Sequence, residues 1–383
     1  MEKIRKDIMS FFIENPDFFL KTVASHYCFN INQLKKYKSV LNNCNISSNE
    51  AIRWDKEILK HFNDWINWDI LSENHAVFKD VGLIEKFINK VRWENEANVY
   101  GLSLSYNDGV PWSAEFIDKY EKKIDFKGLS SNKSVPWSED LIKKYRDRWD
   151  YESLLENDKL PWSVGFIKEY FDKNDLTDYS FISNYGVNSV YEIVEYFSEN
   201  LNWFNVSENK DLPWFEKDLL NKWKNKINWF GIASNGFLLK NIGFFNKNMH
   251  IWMIDPNRSF GHLSANEGLP WSEKLIEKYS NLWNWEYLCM NKSIQWDMNL
   301  INKYSENLVL GGFSEKINLD GNEVGVVKYG LLLNEEAEWS IDIIKRFESE
   351  IDLNSLLQIR IFWSKAFKPY VDDNIVETVL RII

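Results

Sequence analysis

A Leu-Ser-x-Asn tetrapeptide recurs along this chain, and in most copies a Trp follows its Asn by five residues. The markers are Asn49, Asn74, Asn107, Asn132, Asn157, Asn184, Asn209, Asn235, Asn266, Asn291, a degenerate copy at Lys316, and Asn334. Most steps are 25 to 27 residues, those ending at Asn107 and Asn266 are longer, and the last is short. A fixed period in the twenties means a row of small supersecondary units, none of which can bury its apolar face alone. The fold class that follows is all-α: an α-solenoid of about twelve repeats, each built from two short helices.

One unit shows the physical logic. Between Pro136-Trp137 and Trp162, Ser138 stands where a helix N-cap belongs, with Glu139 and Asp140 in the first turn, where the helix dipole favours negative charge. Asp55, Ser113, Ser163, Ser272, Asp297 and Ser340 occupy the same place. Apolar residues follow four, five and eight positions after the Trp, as Leu141, Ile142 and Tyr145, a spacing that puts them on one helix face. Ile58/Leu59/Phe62, Phe116/Ile117/Tyr120 and Ile343/Ile344/Phe347 repeat the triplet. This is helix A, of about ten residues. A second N-cap signal lies seven residues before the marker, at Asn67, Asp125, Asp150, Asn202, Asn228 and Asn284, each followed by an aromatic residue. The resulting helix B has under two turns and depends on its neighbours for stability. The marker Asn fits the C-terminal end of helix B in the left-handed conformation. The alternative is that its amide bonds the backbone of the adjacent unit and forms a ladder along the row.

The ends and two long units depart from the rule. Residues 1–45 read as an N-terminal helical cap, 46–347 as the array and 348–383 as a C-terminal helical cap. The unit ending at Asn107 carries about eight extra residues near 92–100, and the unit ending at Asn266 about six within 247–262. The second insertion gathers Met249, His250, Trp252, Met253, Asp255, Arg258 and His262, a mixture of the aromatic–Met–Arg kind found at interface hot spots. Met249, His250, Trp252, Asp255, Arg258 and His262 are accordingly the candidate binding residues, against the alternative that Trp252 and Met253 fill the gap behind a longer loop. Gly311, Gly312, Gly321, Gly325 and Gly330 loosen the last unit and suggest a bend.

Net charge is −11 over 383 residues, with no run of five Lys or Arg, which takes away most of the electrostatic basis for tracking a nucleic-acid backbone. Cys28, Cys44 and Cys289 form no CxxC pair, and the N-terminus lacks the apolar core of a signal peptide. No apolar run is long enough to span a membrane, so the chain is expected to be cytoplasmic. His26 and Cys28 lack a partner pair at zinc-like spacing, no cofactor motif occurs, and no nucleophile or phosphate-loop signature is present. A Ser required in every unit is a structural residue before it is a nucleophile.

The string Trp-x-x-Leu-Ser-x-Asn-x-x-Leu-Pro-Trp-Ser-x-x-Leu-Ile-x-x-Tyr is clearest at 129–145, 154–170 and 263–279, and weaker copies cover most of 46–347. It resembles a family of degenerate repeat proteins of Bacteroidetes-type bacteria and their mobile elements, with similar repeats in giant DNA viruses. The resemblance implies an architecture and carries no activity or site residue. The expected function is therefore a non-catalytic scaffold binding a basic protein partner, steered by its acidic surface, in toxin neutralisation or in phage defence or counter-defence. The alternative is an enzyme or small-ligand sensor with a pocket near 247–262.

Overall fold

The computed structural model of the chain describes residues 1–93, 103–171, 190–319, 322–328, 330–351, 353 and 362–383, with backbone alone over 312–319 and 322–328. Marker Asn184 lies outside the described residues. The described chain is helical apart from one antiparallel hairpin, Gly312–Leu319 with Asn322–Lys328. That hairpin departs from the all-α expectation.

Both helices of the unit form where the caps place them. Asp55, Ser113, Ser138, Ser163, Ser272, Asp297 and Ser340 each accept a backbone N–H from the first turn of their A helix. These helices are six or seven residues long, as in Glu139–Lys144 and Ala114–Tyr120. They are shorter than expected because the last residue of the apolar triplet sits near the helix end: Tyr145, with φ −113° and ψ 30°, is already the C-cap. Leu141, Ile142 and Tyr145 are buried, as are Ile58, Leu59 and Phe62. Asn67, Asp125, Asp150, Asn228 and Asn284 cap the B helices in the same way.

The marker Asn holds its expected position at the end of helix B but not the left-handed conformation. Asn49, Asn74, Asn132, Asn266 and Asn291 all have φ between −66° and −75° with ψ between 108° and 122°, which is extended backbone. The reason lies in the side chain, which is fully committed to the preceding unit and to its own turn. The Asn157 amide donates to Ser130 O at 3.0 Å and to Asn132 O at 3.2 Å, while its Oδ1 accepts the Lys159 N–H at 3.0 Å. The same pair of acceptors serves Asn107, Asn235 and Asn291. The marker carbonyl accepts the indole N–H five residues on, as Trp162 to Asn157 O at 2.9 Å and Trp54 to Asn49 O at 2.8 Å. The motif Ser closes the set: Ser130 Oγ donates to Phe126 O and accepts the N–H of Asp150, the N-cap of the next B helix. These groups are buried, so each unmade bond would cost about 1–3 kcal/mol, and the motif makes nearly all of them; the exception is Trp296, five residues after Asn291, whose buried indole N–H has no partner among the described residues.

This ladder corrects the unit count. Asn334 donates to Cys289 O and Asn291 O, so its unit follows that of Asn291 directly, and Lys316 is no marker but a strand residue paired with Gly325. The apparent bend is an inserted hairpin. It enters between Leu310 and Leu331, where Leu331 N–H donates to Val309 O at 2.8 Å; Leu104 N–H donates to Arg92 O at 2.8 Å across the insertion of the Asn107 unit. Both insertions thus occupy the same joint, between the cap position and helix B, and both reduce that helix to one 3-10 turn, Leu104–Tyr106 and Leu331–Leu333. Gly330 is required there, since a Cβ would lie 2.4 Å from Val309 O.

The row also begins earlier than residue 46. Asn49 donates to Ala24 O and Tyr27 O, and Asn30 caps Ile31–Tyr37, whose Leu34 and Tyr37 are buried beside Phe29. Ala24 and Phe29 occupy the marker and Trp places.

The contacts divide the chain into two bodies, Leu20–Asn202 and Met1–Phe19 with Trp203–Ile383. In the first, B helices Asn43–Ser48 and Trp68–Glu73 lie side by side, as do Phe126–Ser131 and Tyr151–Leu155. In the second, the first helix, Glu2–Glu14, packs on the last, Asp373–Ile382. Its buried Phe11 and Phe12 set their rings 6.3 and 5.1 Å from that of Phe367, and Arg5 and Asp7 pair with Asp372 and Lys345. An N-terminal cap over 1–45 therefore gives way to a first helix that belongs with the C-terminal residues, followed by an unrecognised unit.

Candidate binding surface

Four B helices of the second body form a continuous row: Trp203–Glu208, Trp229–Ser234, Pro256–Ala265 and Trp285–Met290. The third is the one altered by the insertion. Pro256 and the capping Asp255, whose carboxylate accepts the Arg258 N–H, start it a turn early. The added turn brings Arg258 onto the surface, four residues before His262.

The six candidate residues divide on this frame. Trp252 is fully buried and donates its indole N–H to Phe245 O at 3.2 Å, as Trp149 does to Ile142 O and Trp283 to Ile276 O. It is a repeat core residue with its ring 5.6 Å from Trp229, not an accessible anchor. Met249 is half-buried and His250 exposed, both on the helix Met249–Trp252. Asp255 serves as the cap. Arg258 and His262 alone come together in one cluster.

That cluster includes three residues the sequence reading missed. The Arg258 guanidinium lies 4.1 Å over the Phe230 ring. His262 Nδ1 is 3.0 Å from Ser234 Oγ, and its ring lies 5.3 Å from that of Phe204 and 6.2 Å from that of Phe230. His262 and Phe204 meet across the intervening helix because residue 231 is Gly; a Cβ there would lie 2.4 Å from Phe204 O. Phe204 and Phe230 precede their markers by five residues, a place that holds Asp69, Lys127 and Glu152 in the first body. Aromatic residues at a solvent-facing position were the available signal. A guanidinium over a ring and a half-buried imidazole between rings offer a flat, partly desolvated surface for a protein contact.

Burial, reinforced by the Arg258 charge, lowers the His262 pKa from its ordinary value. The folded state then binds fewer protons than the unfolded one, so the contribution of neutral His262 is complete above pH about 6.5 and is lost as pH falls through the depressed folded value. Amide exchange along Pro256–Ala265 should accelerate below pH about 6 relative to the flanking helices, and His262→Gln should abolish the difference.

Burial pushes the Cys289 thiol up to about 12, so no thiolate forms at neutral pH. Among the described residues no group of three His, Cys, Asp or Glu could hold a metal ion, and no helix is long and apolar enough to cross a membrane. A cleft of about 490 Å³ between A helices, lined by Trp271, Glu273, Asp297 and Lys303, lies outside 247–262. Lys303 is held there by Glu273 and Glu277.

No family model, no curated protein and no solved structure matches this chain.

Proposed function

We propose that the chain is an α-solenoid of about twelve units that acts without catalysis, by binding a basic protein partner. The observation that carries this reading is the fate of the motif groups: with the Trp296 indole as the exception, the recurring Ser, Asn and Trp polar atoms of the described units are spent on hydrogen bonds within and between units. What varies from unit to unit is exposed side chain, and that is where recognition falls. The net charge of −11 draws a cationic protein in, and the Phe204–Phe230–Arg258–His262 surface supplies the contact that holds it.

The test uses surface plasmon resonance against a partner recovered from the native host, at two salt concentrations. Association should slow as salt rises, because exposed charges are screened beyond about 8–10 Å at physiological ionic strength. Reversal of the exposed Glu139, Glu169 and Glu277 should slow association with folding intact. Phe230→Ala with Arg258→Ala should raise the dissociation rate about tenfold or more, the loss expected from one hot-spot contact. Binding that ignores salt, charge reversal and the double substitution alike would remove this reading.

A further inference from the structure

The first body contains a cationic cleft that the acidic-scaffold reading does not use. It is an open cleft of about 560 Å³ lined by Asp69, Lys90, Val91, Arg92, Trp93, Lys122 and Lys123. Among the described lining residues four cations thus face one carboxylate, in a chain whose net charge is −11. Arg92 stands at a joint where Asn67, Asp125 and Asp150 cap their helices. Its amide keeps the structural bond of that place, donating to Ser72 Oγ at 2.9 Å as Asn67 does to Ser47 and Asp150 to Ser130. A guanidinium has no acceptor and cannot cap a helix; it lies 3.4 Å from Asp69. Lys90 and Lys123 are the same position in successive units, and in the next unit that position is Arg148, which Glu121 neutralises. Lys90, Lys122 and Lys123 are exposed and have no carboxylate partner among the described residues. The floor is rigid: Trp93 is buried against Phe116 and Tyr120, with ring centroids 6.2 and 5.0 Å away.

We propose that the cleft lined by Lys90, Arg92, Lys122 and Lys123 binds a compact anion carrying two or more phosphate groups. Several ammonium heads act as point charges for phosphate oxygens, and the guanidinium adds a planar donor fork. More than one phosphate is needed to engage cations contributed by two successive units. A compact ligand fits better than an extended nucleic acid, since the four cations converge on one cleft and no run of five Lys or Arg continues as a basic track for a long backbone.

Isothermal titration calorimetry on the full chain at physiological salt tests this with inorganic tripolyphosphate, a nucleoside triphosphate and inorganic phosphate. Tripolyphosphate should bind with one-to-one stoichiometry, and inorganic phosphate at least about tenfold more weakly. Equal affinity for the nucleotide would identify the phosphate chain as the recognised group, and tighter nucleotide binding would add the nucleoside; either supports the site. K90Q/K122Q/K123Q should weaken tripolyphosphate about tenfold or more, R92Q should weaken it too, and K274Q/K278Q, in the other body, should leave it unchanged. Circular dichroism identifies any variant that has failed to fold; in that case charge-retaining K90R/K122R/K123R, which should still bind, replaces it. Absence of saturable heat, or equal loss in K274Q/K278Q, overturns the proposal. So does a silent native chain whose E94Q/E96Q variant binds, because the chain's own carboxylates would then fill the cleft.

Discussion

Asn157→Ala is expected to destabilise the chain by about 3 kcal/mol or more, far beyond the cost of a helix cap. The substitution strands the buried Ser130 carbonyl and the Lys159 N–H and removes one of the two donors to the Asn132 carbonyl, which keeps the Trp137 indole N–H, and each unsatisfied buried group costs roughly 1–3 kcal/mol. Asn157→Gly should be at least as damaging, since Gly relieves a left-handed backbone and the markers are extended. Asn157→Asp should also fail: its carboxylate can accept from Lys159 but cannot donate to the carbonyls, against which it places a buried charge. Urea unfolding of the three variants checks the order. Near-neutral Gly with costly Ala would return the marker to a simple cap.

Phe12→Ala should cost about 3–5 kcal/mol of local stability, as a fully buried aromatic truncation. Its ring lies 5.1 Å from Phe367 and 5.0 Å from Phe19, so the cavity opens between the first helix and the C-terminal residues. Limited proteolysis should then cut within the first nineteen residues before the helices of Leu20–Asn202 are attacked. Val40→Ala, an exposed apolar control, should leave the digestion pattern unchanged. Native-like resistance of Phe12→Ala would contradict the docking of Glu2–Glu14.

The unit itself was legible because its signals are local. A hydroxyl or carboxylate cap, an apolar triplet at helical spacing and a recurring Trp leave little freedom, and Ser138, Leu141, Ile142 and Tyr145 do what their spacing implies. Signals that depend on a neighbour were less readable. Whether Asn157 turned left-handed or reached back to Ser130 could not be decided from Leu-Ser-x-Asn alone, because Asn suits both. Lys316 resembled a degenerate marker only because the hairpin happens to place it near the expected period. Trp252 looked like an anchor inside an insertion, yet its N–H repeats the bonds of Trp149 and Trp283; that alignment, not its loop, was the informative feature. The pairing of Phe204 with His262 depends on Gly231 being small, a contact with no spacing signature.

Among the described units the recurring motif is a hydrogen-bond ladder linking one unit to the one before it. Hydrogen exchange of Asn157→Ala, read by mass spectrometry, tests it most directly. Protection should fall in Phe126–Ser131, in Tyr151–Leu155 and at the turn through Lys159, while Trp285–Met290 stays protected, since units in such a row are coupled chiefly to their neighbours. Unchanged protection at Phe126–Ser131, or an equal loss from one end of the chain to the other, would contradict the ladder.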